Sequence, residues 1–153
     1  MRDLFVQFCS EITGFPDASL EGTGLVETYR KLIEQVLGDE LVTQFYDLVE
    51  LIVRLEGVEA RQKQIVASVL PSTIFWPVTS NLISLWYLGV WTQLPATWYQ
   101  AQGLPLPGTD DAGKTHVPSD SAYVEQLSYR VAGAHPPGAK PTGFGSWSIP
   151  PVF

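Results

Sequence analysis

From Gln64 to Thr109 the chain carries no Asp, Glu, Lys or Arg. At the centre of that run, NLISLWYLGVWTQLPATWYQ (Asn81 to Gln100) holds three of the five tryptophans. The rest is acidic: sixteen Asp and Glu against nine Lys and Arg, a formal charge of −7 in 153 residues. An uncharged aromatic run in such a chain belongs in a bilayer, in a core, or against another protein. A spanning helix needs about twenty mostly apolar residues. The best window, Val78 to Leu94, includes Thr79, Ser80, Asn81, Ser84, Thr92 and Gln93, and prolines flank it. No Lys or Arg anchors its ends, and a helix lying on a bilayer usually carries a basic face. No transmembrane segment is expected.

Core and interface both fit the run. As a helix it sets Leu82, Leu85, Trp86, Gly89 and Val90 on one broad face, while Ile83, Tyr87 and Trp91 fill the opposite side. A helix apolar nearly all round is buried on all sides. Trp76, Trp98, Tyr99 and Trp147 add more aromatic surface than one small core readily hides. A buried Trp removes about 150–250 Å² from water, roughly 4–6 kcal/mol gross at about 25 cal/mol per Å². Exposing several would invite aggregation. The balance favours a permanent partner over a self-sufficient Trp-rich core.

The periodicity elsewhere predicts an all-α chain, an irregular bundle of about five to six helices. Leu4, Phe5, Phe8 and Ile12 recur at helix-face spacing before Gly14. GLVETYRKLIEQVLG and DELVTQFYDLVELIVRLEG give two further helices, closed by Gly38 and Gly57. VEARQKQIVASVL predicts a fourth from Val58 to Leu70, and Val78 to Thr92 a fifth. Asp120 to Val131 predicts a last short helix, with Ser119 as N-cap. The expected organisation is one domain, 1–153: a helical bundle over 1–93, a Pro/Gly-rich loop over 94–118, the short helix within 119–133, and an extended tail over 134–153. Phe144, Trp147, Ile149 and Phe153 would be wasteful in a free tail, so it is expected to lie along a surface.

Groups that carry chemistry are sparse. The low pI, about 4.6, and the lack of any basic run exclude a nucleic-acid partner. His116 and His135 sit in Pro/Gly-rich segments without ligands at metal spacing. The single Cys9 lies beside Phe8 and Ile12 on a helix face and reads as a small buried residue. Gly143-Phe144-Gly145 is too short for a phosphate loop. Asp47, Glu50, Glu56 and Glu59 alternate with apolar residues as a solvated face does, and Asp110-Asp111 falls in a loop. No catalytic, cofactor-binding or metal-binding residue is assigned to this chain, although a carboxylate site using an external metal stays open as a rival.

SEITG (Ser10 to Gly14), ISLWYLGVW (Ile83 to Trp91), AYVEQL (Ala122 to Leu127) and GFGSWSIPP (Gly143 to Pro151) occur in that order. Together they resemble the small subunit of membrane-associated, FAD-dependent sugar and alcohol dehydrogenase complexes: the sorbitol, fructose, gluconate and glucose dehydrogenases. The resemblance implies a helical, non-catalytic subunit without a cofactor of its own. Its obligate partner would be a large flavoprotein of the glucose-methanol-choline (GMC) type that holds FAD, and the small subunit would serve that protein's folding and export. A c-type cytochrome subunit often accepts the electrons. It also implies a periplasmic or membrane-associated location, usually reached through a twin-arginine signal; none is visible here, and a chain without a trimmed signal would be cytoplasmic. Two more departures stand out: many relatives have a Cys before the terminal Gly-aromatic-Trp motif, and the segment Pro95 to Pro118 is longer than usual. The expected partner interface comprises Trp86, Tyr87, Gly89, Trp91, Trp98, Tyr99, Tyr123, Phe144, Trp147, Pro150 and Pro151, at the contact or directly beneath it. The alternative is a self-contained helical module that binds a small molecule or a protein without a flavoprotein.

Overall fold

The structure, a computed structural model, describes residues 3–108 and 113–136. Among them every named element is a helix: α1 (Leu4–Thr13), α2 (Asp17–Glu21), α3 (Val26–Val53), α4 (Val58–Ser68), α5 (Phe75–Leu88), α6 (Ala96–Ala101), α7 (Asp120–Glu125) and α8 (Ser128–Val131). The all-α irregular bundle expected from the sequence is the observed fold. None of the described helices is long and apolar enough to cross a membrane.

Each main helix starts or stops for a local reason. Asp3 caps α1 by accepting from the Phe5 N–H at 2.9 Å, and Gly14 closes it in the left-handed region. The two helices expected on either side of Gly38 run on as α3, with helical dihedrals broken at Gly38 (φ 67°, ψ 174°). α5 begins at Phe75, three residues before the expected Val78. Pro77 fits its first turn, where a backbone N–H has no partner to lose. It ends at Leu88 rather than Thr92, because Gly89 turns the chain at φ 70°.

The remaining differences are short elements. Pro16 precedes α2, which no periodicity announces. Pro95 precedes α6, inside the stretch expected to be loop throughout. The single helix expected from Asp120 to Val131 is two, because Gln126 is extended (φ −55°, ψ 145°). The tail beyond residue 136, with Phe144, Trp147, Pro150 and Pro151, lies outside the described residues.

The core sits where α1, α3 and α5 meet. Phe5, Phe8 and Cys9 of α1, Tyr29, Ile33, Leu37, Phe45 and Val49 of α3, and Val78, Leu82, Leu85 and Trp86 of α5 are all buried. Phe8 meets Phe45 edge-on, ring centroids 5.7 Å apart. Burying each such ring contributes about 1.5–3 kcal/mol. At the rim Arg30 pairs with Asp3 and lies 5.2 Å over the Phe5 ring, tying the start of α1 to α3. α5 is thereby flanked by α1 and α3 on one side and by α7 and α8 on another.

Candidate interaction site

The first three motifs of the ordered set meet around α5. The Tyr87 hydroxyl donates to the Thr13 carbonyl at 2.7 Å, joining ISLWYLGVW to SEITG. Within SEITG, Ser10 Oγ donates to the Phe15 carbonyl at 2.7 Å, and the Phe15 ring packs on Tyr87 with centroids 5.0 Å apart. On the other side, the Leu127 N–H donates to the Trp86 carbonyl at 3.0 Å, joining ISLWYLGVW to AYVEQL. Gly89 completes that joint. A Cβ there would stand 2.8 Å from the Ala122 carbonyl carbon and nearer still to its oxygen, so the start of α7 passes where a side chain would be.

The polar residues that interrupt the apolar run hold the chain leaving α5. Asn81 Oδ1 accepts from the Thr92 N–H at 2.7 Å, and Ser84 Oγ donates to the Val90 carbonyl at 3.0 Å. Trp91 then pairs with His116 in an isolated antiparallel bridge.

Four members of the expected interface face inward. Trp86 (1% exposed), Trp91 (0%), Trp98 (5%) and Tyr99 (3%) lie in this chain's own core and offer no surface to a partner. The Trp86 ring meets Tyr29 edge-on at 4.8 Å, the Tyr29 hydroxyl donates to the Leu85 carbonyl at 3.0 Å, and the Trp98 indole N–H donates to the Ile74 carbonyl at 3.1 Å. Gly89 is buried and Tyr87 half-buried; Tyr123 is exposed. Tyr29 of α3 packs on Trp86, and the Trp91 backbone pairs with His116, all within this chain.

The surface that lacks cover lies elsewhere. α4 has no buried residue. With α5 and Ile12 of α1 it walls an open groove of about 310 Å³, lined by Ile65, Val66, Leu70, Trp76 and Ile83. Val66 is 60% exposed, Leu70 43% and Trp76 37%. Sequence reasoning passed over this groove, since α4 shows only a weak apolar stripe; the usable signal was the charge-free run beginning at Gln64.

Candidate chemical groups stay apart. Burial pushes the Cys9 thiol up to about 12, against the opposing pull of the Trp86 indole, so it is a neutral, enclosed thiol. His116 Nδ1 is 2.8 Å from the Lys114 carbonyl. Glu50 pairs with Arg54, and Glu59 with Lys63 at 2.8 Å. Among the described residues no three His, Cys, Asp or Glu side chains form a group that could hold a metal. Asp110-Asp111 and Gly143-Phe144-Gly145 lie outside the described residues.

No protein-family model, curated protein or solved structure matches this chain.

Proposed function

We propose that the chain is a non-catalytic subunit that binds and stabilises, in a chaperone-like way, a large FAD-containing oxidoreductase of the GMC type acting on sugars or alcohols. The observation that carries this reading is the contact among the resembling motifs. Three of the four motifs lie among the described residues, where they are brought together around α5. Here Tyr87, Gly89 and Trp86 bind SEITG and AYVEQL to ISLWYLGVW through specific hydrogen bonds and a side-chain-free crossing. The three described motifs form one contiguous region around α5, and the α4–α5 groove supplies surface for a partner. FAD would reside in that partner, electrons would leave through it, and a c-type cytochrome subunit and a periplasmic location would follow from the complex. The chain's own part is linkage: binding only the folded partner adds about 4 kcal/mol to its stability at a thousandfold excess over Kd.

The inward-facing tryptophans favour a second reading, a self-contained helical binding module. Co-expression with the neighbouring open reading frame, followed by size exclusion and a flavin absorbance scan, separates the two. The subunit reading expects one peak holding both chains and flavin. A monodisperse chain with no affinity for the flavoprotein supports the self-contained module instead.

A further inference from the structure

Three points on the segment after Lys114 meet the end of α5 in reverse order. The His116 carbonyl accepts from the Trp91 N–H at 2.9 Å, and the His116 N–H donates back at 3.0 Å. The Ala122 carbonyl occupies the space a Cβ of Gly89 would take. The Leu127 N–H donates to the Trp86 carbonyl at 3.0 Å. His116, Ala122 and Leu127 thus meet Trp91, Gly89 and Trp86 in turn, an antiparallel path along the chain leaving α5. Thr115 Oγ1 lengthens it by accepting from the Gln93 N–H at 3.0 Å. Once one of these contacts is made, the next closes a loop of only a few residues, so they form together at little added entropic cost.

The segment itself buries little. α7 and α8 span six and four residues, below the roughly 12–15 residues at which an isolated helix is marginal in water. From Thr115 to Ala134 only Ala122 and Leu127 are buried, whereas α1, α3 and α5 bury Phe5, Phe8, Tyr29, Phe45 and Trp86 against one another. The contact of Arg130 Nη1 with Ser19 Oγ of α2, at 3.2 Å, is exposed. Elements with few buried apolar contacts open at a lower free energy than the whole fold.

We infer that Thr115 to Ala134 is a clasp, which opens and closes over the end of α5 as one unit while the core of α1, α3 and α5 stays folded. Closed, it caps α5. The Trp86 carbonyl is among the last four of that helix, which have no partner within it, and Leu127 supplies the donor. Open, it uncovers that carbonyl, both backbone groups of Trp91 and the bare side of Gly89. The inference is independent of the flavoprotein reading and is tested on the chain alone.

The test is native-state hydrogen exchange of the full chain, followed by NMR across low urea concentrations. The N–H groups of Trp91, His116 and Leu127 should exchange with one common free energy and one urea dependence. Their protection should be at least about a hundredfold weaker than at the Phe45 N–H in the middle of α3. Leu127→Ala should speed exchange about tenfold or more at Trp91 and His116 as well as at its own N–H. Val49→Ala, a core substitution in α3, should speed exchange at Phe45 and leave Trp91, His116 and Leu127 unchanged.

Three unequal free energies in the wild type, or a Leu127→Ala effect confined to α7 and α8, would show separate fraying and overturn the clasp as a unit. Protection at Trp91, His116 and Leu127 equal to that at Phe45 would mean that the segment unfolds only with the core. A Val49→Ala effect that reaches all three would mean the same. Either result overturns the inference.

Discussion

At Gly89 one missing side chain meets two demands: a backbone at φ 70°, and the carbonyl of Ala122 in the space a Cβ would take. Gly14 meets only the first, at φ 77° with open space around it. Urea denaturation of Gly14→Ala should therefore show a loss of about 1 kcal/mol, and of Gly89→Ala roughly 2–4 kcal/mol. Equal losses would mean that α7 does not cross against Gly89. Cys9 gives a pH signature. Its thiol titrates at about 12 in the fold against 9.0 ordinarily, chiefly because it is buried. The stability this contributes is whole below pH 9.0 and is lost as pH rises toward 12, by at most about 1.4 kcal/mol per pH unit. Buried Tyr29, also raised by desolvation, adds in the same direction above its ordinary 10.0. Between pH 9 and 10 the fall in stability should be shallower in Cys9→Ala than in the wild type, measured by denaturant titration. An unchanged slope would place the thiol in water. The buried, unreactive Cys9 was legible from its neighbours Phe8 and Ile12; the direction of each tryptophan was not, because a helical wheel shows apolarity without showing which chain supplies the cover.

Helices with a long period were legible in the sequence, and those set by contact were not. α1, both halves of α3, and α4 follow apolar spacing closed by glycine or proline. α2 and α6 span five and six residues, too short to express a period, and only Pro16 and Pro95 ahead of them hint at a start. Between α7 and α8 neither glycine nor proline marks the break. The chain opens at Gln126, and the next N–H, from Leu127, leaves the helix ladder for the Trp86 carbonyl. A tertiary hydrogen bond there overrides local helix propensity. The kink in α3 shows the opposite case, a sequence signal with a structural effect. Gly38 adopts φ 67° and ψ 174°, a region essentially reserved to glycine. Gly38→Ala should lower stability by roughly 1–3 kcal/mol in urea titration. A neutral result would mean that α3 can run through residue 38 without the kink.

Across the whole molecule, the aromatic excess that pointed to a partner divides in two. Trp86, Trp91 and Trp98 complete an internal core in which α5 is wrapped by the chain's own helices. Trp76, with Val66 and Leu70, stays at the surface. The sequence pattern set the rings of Trp86, Trp91 and Trp98 at a contact or directly beneath it; the fold encloses all three, and the α4–α5 groove includes Val66 and Leu70, which were not singled out. That division leaves a chain with its own aromatic core and an open apolar groove between α4 and α5. The most direct test is the temperature at which a GMC-type flavoprotein releases its flavin, followed by fluorescence as this chain is titrated in. The account predicts a release temperature that rises with the concentration of added chain, while the chain alone shows neither flavin absorbance nor turnover of sugars or alcohols. A release temperature that stays constant at saturating chain would contradict it.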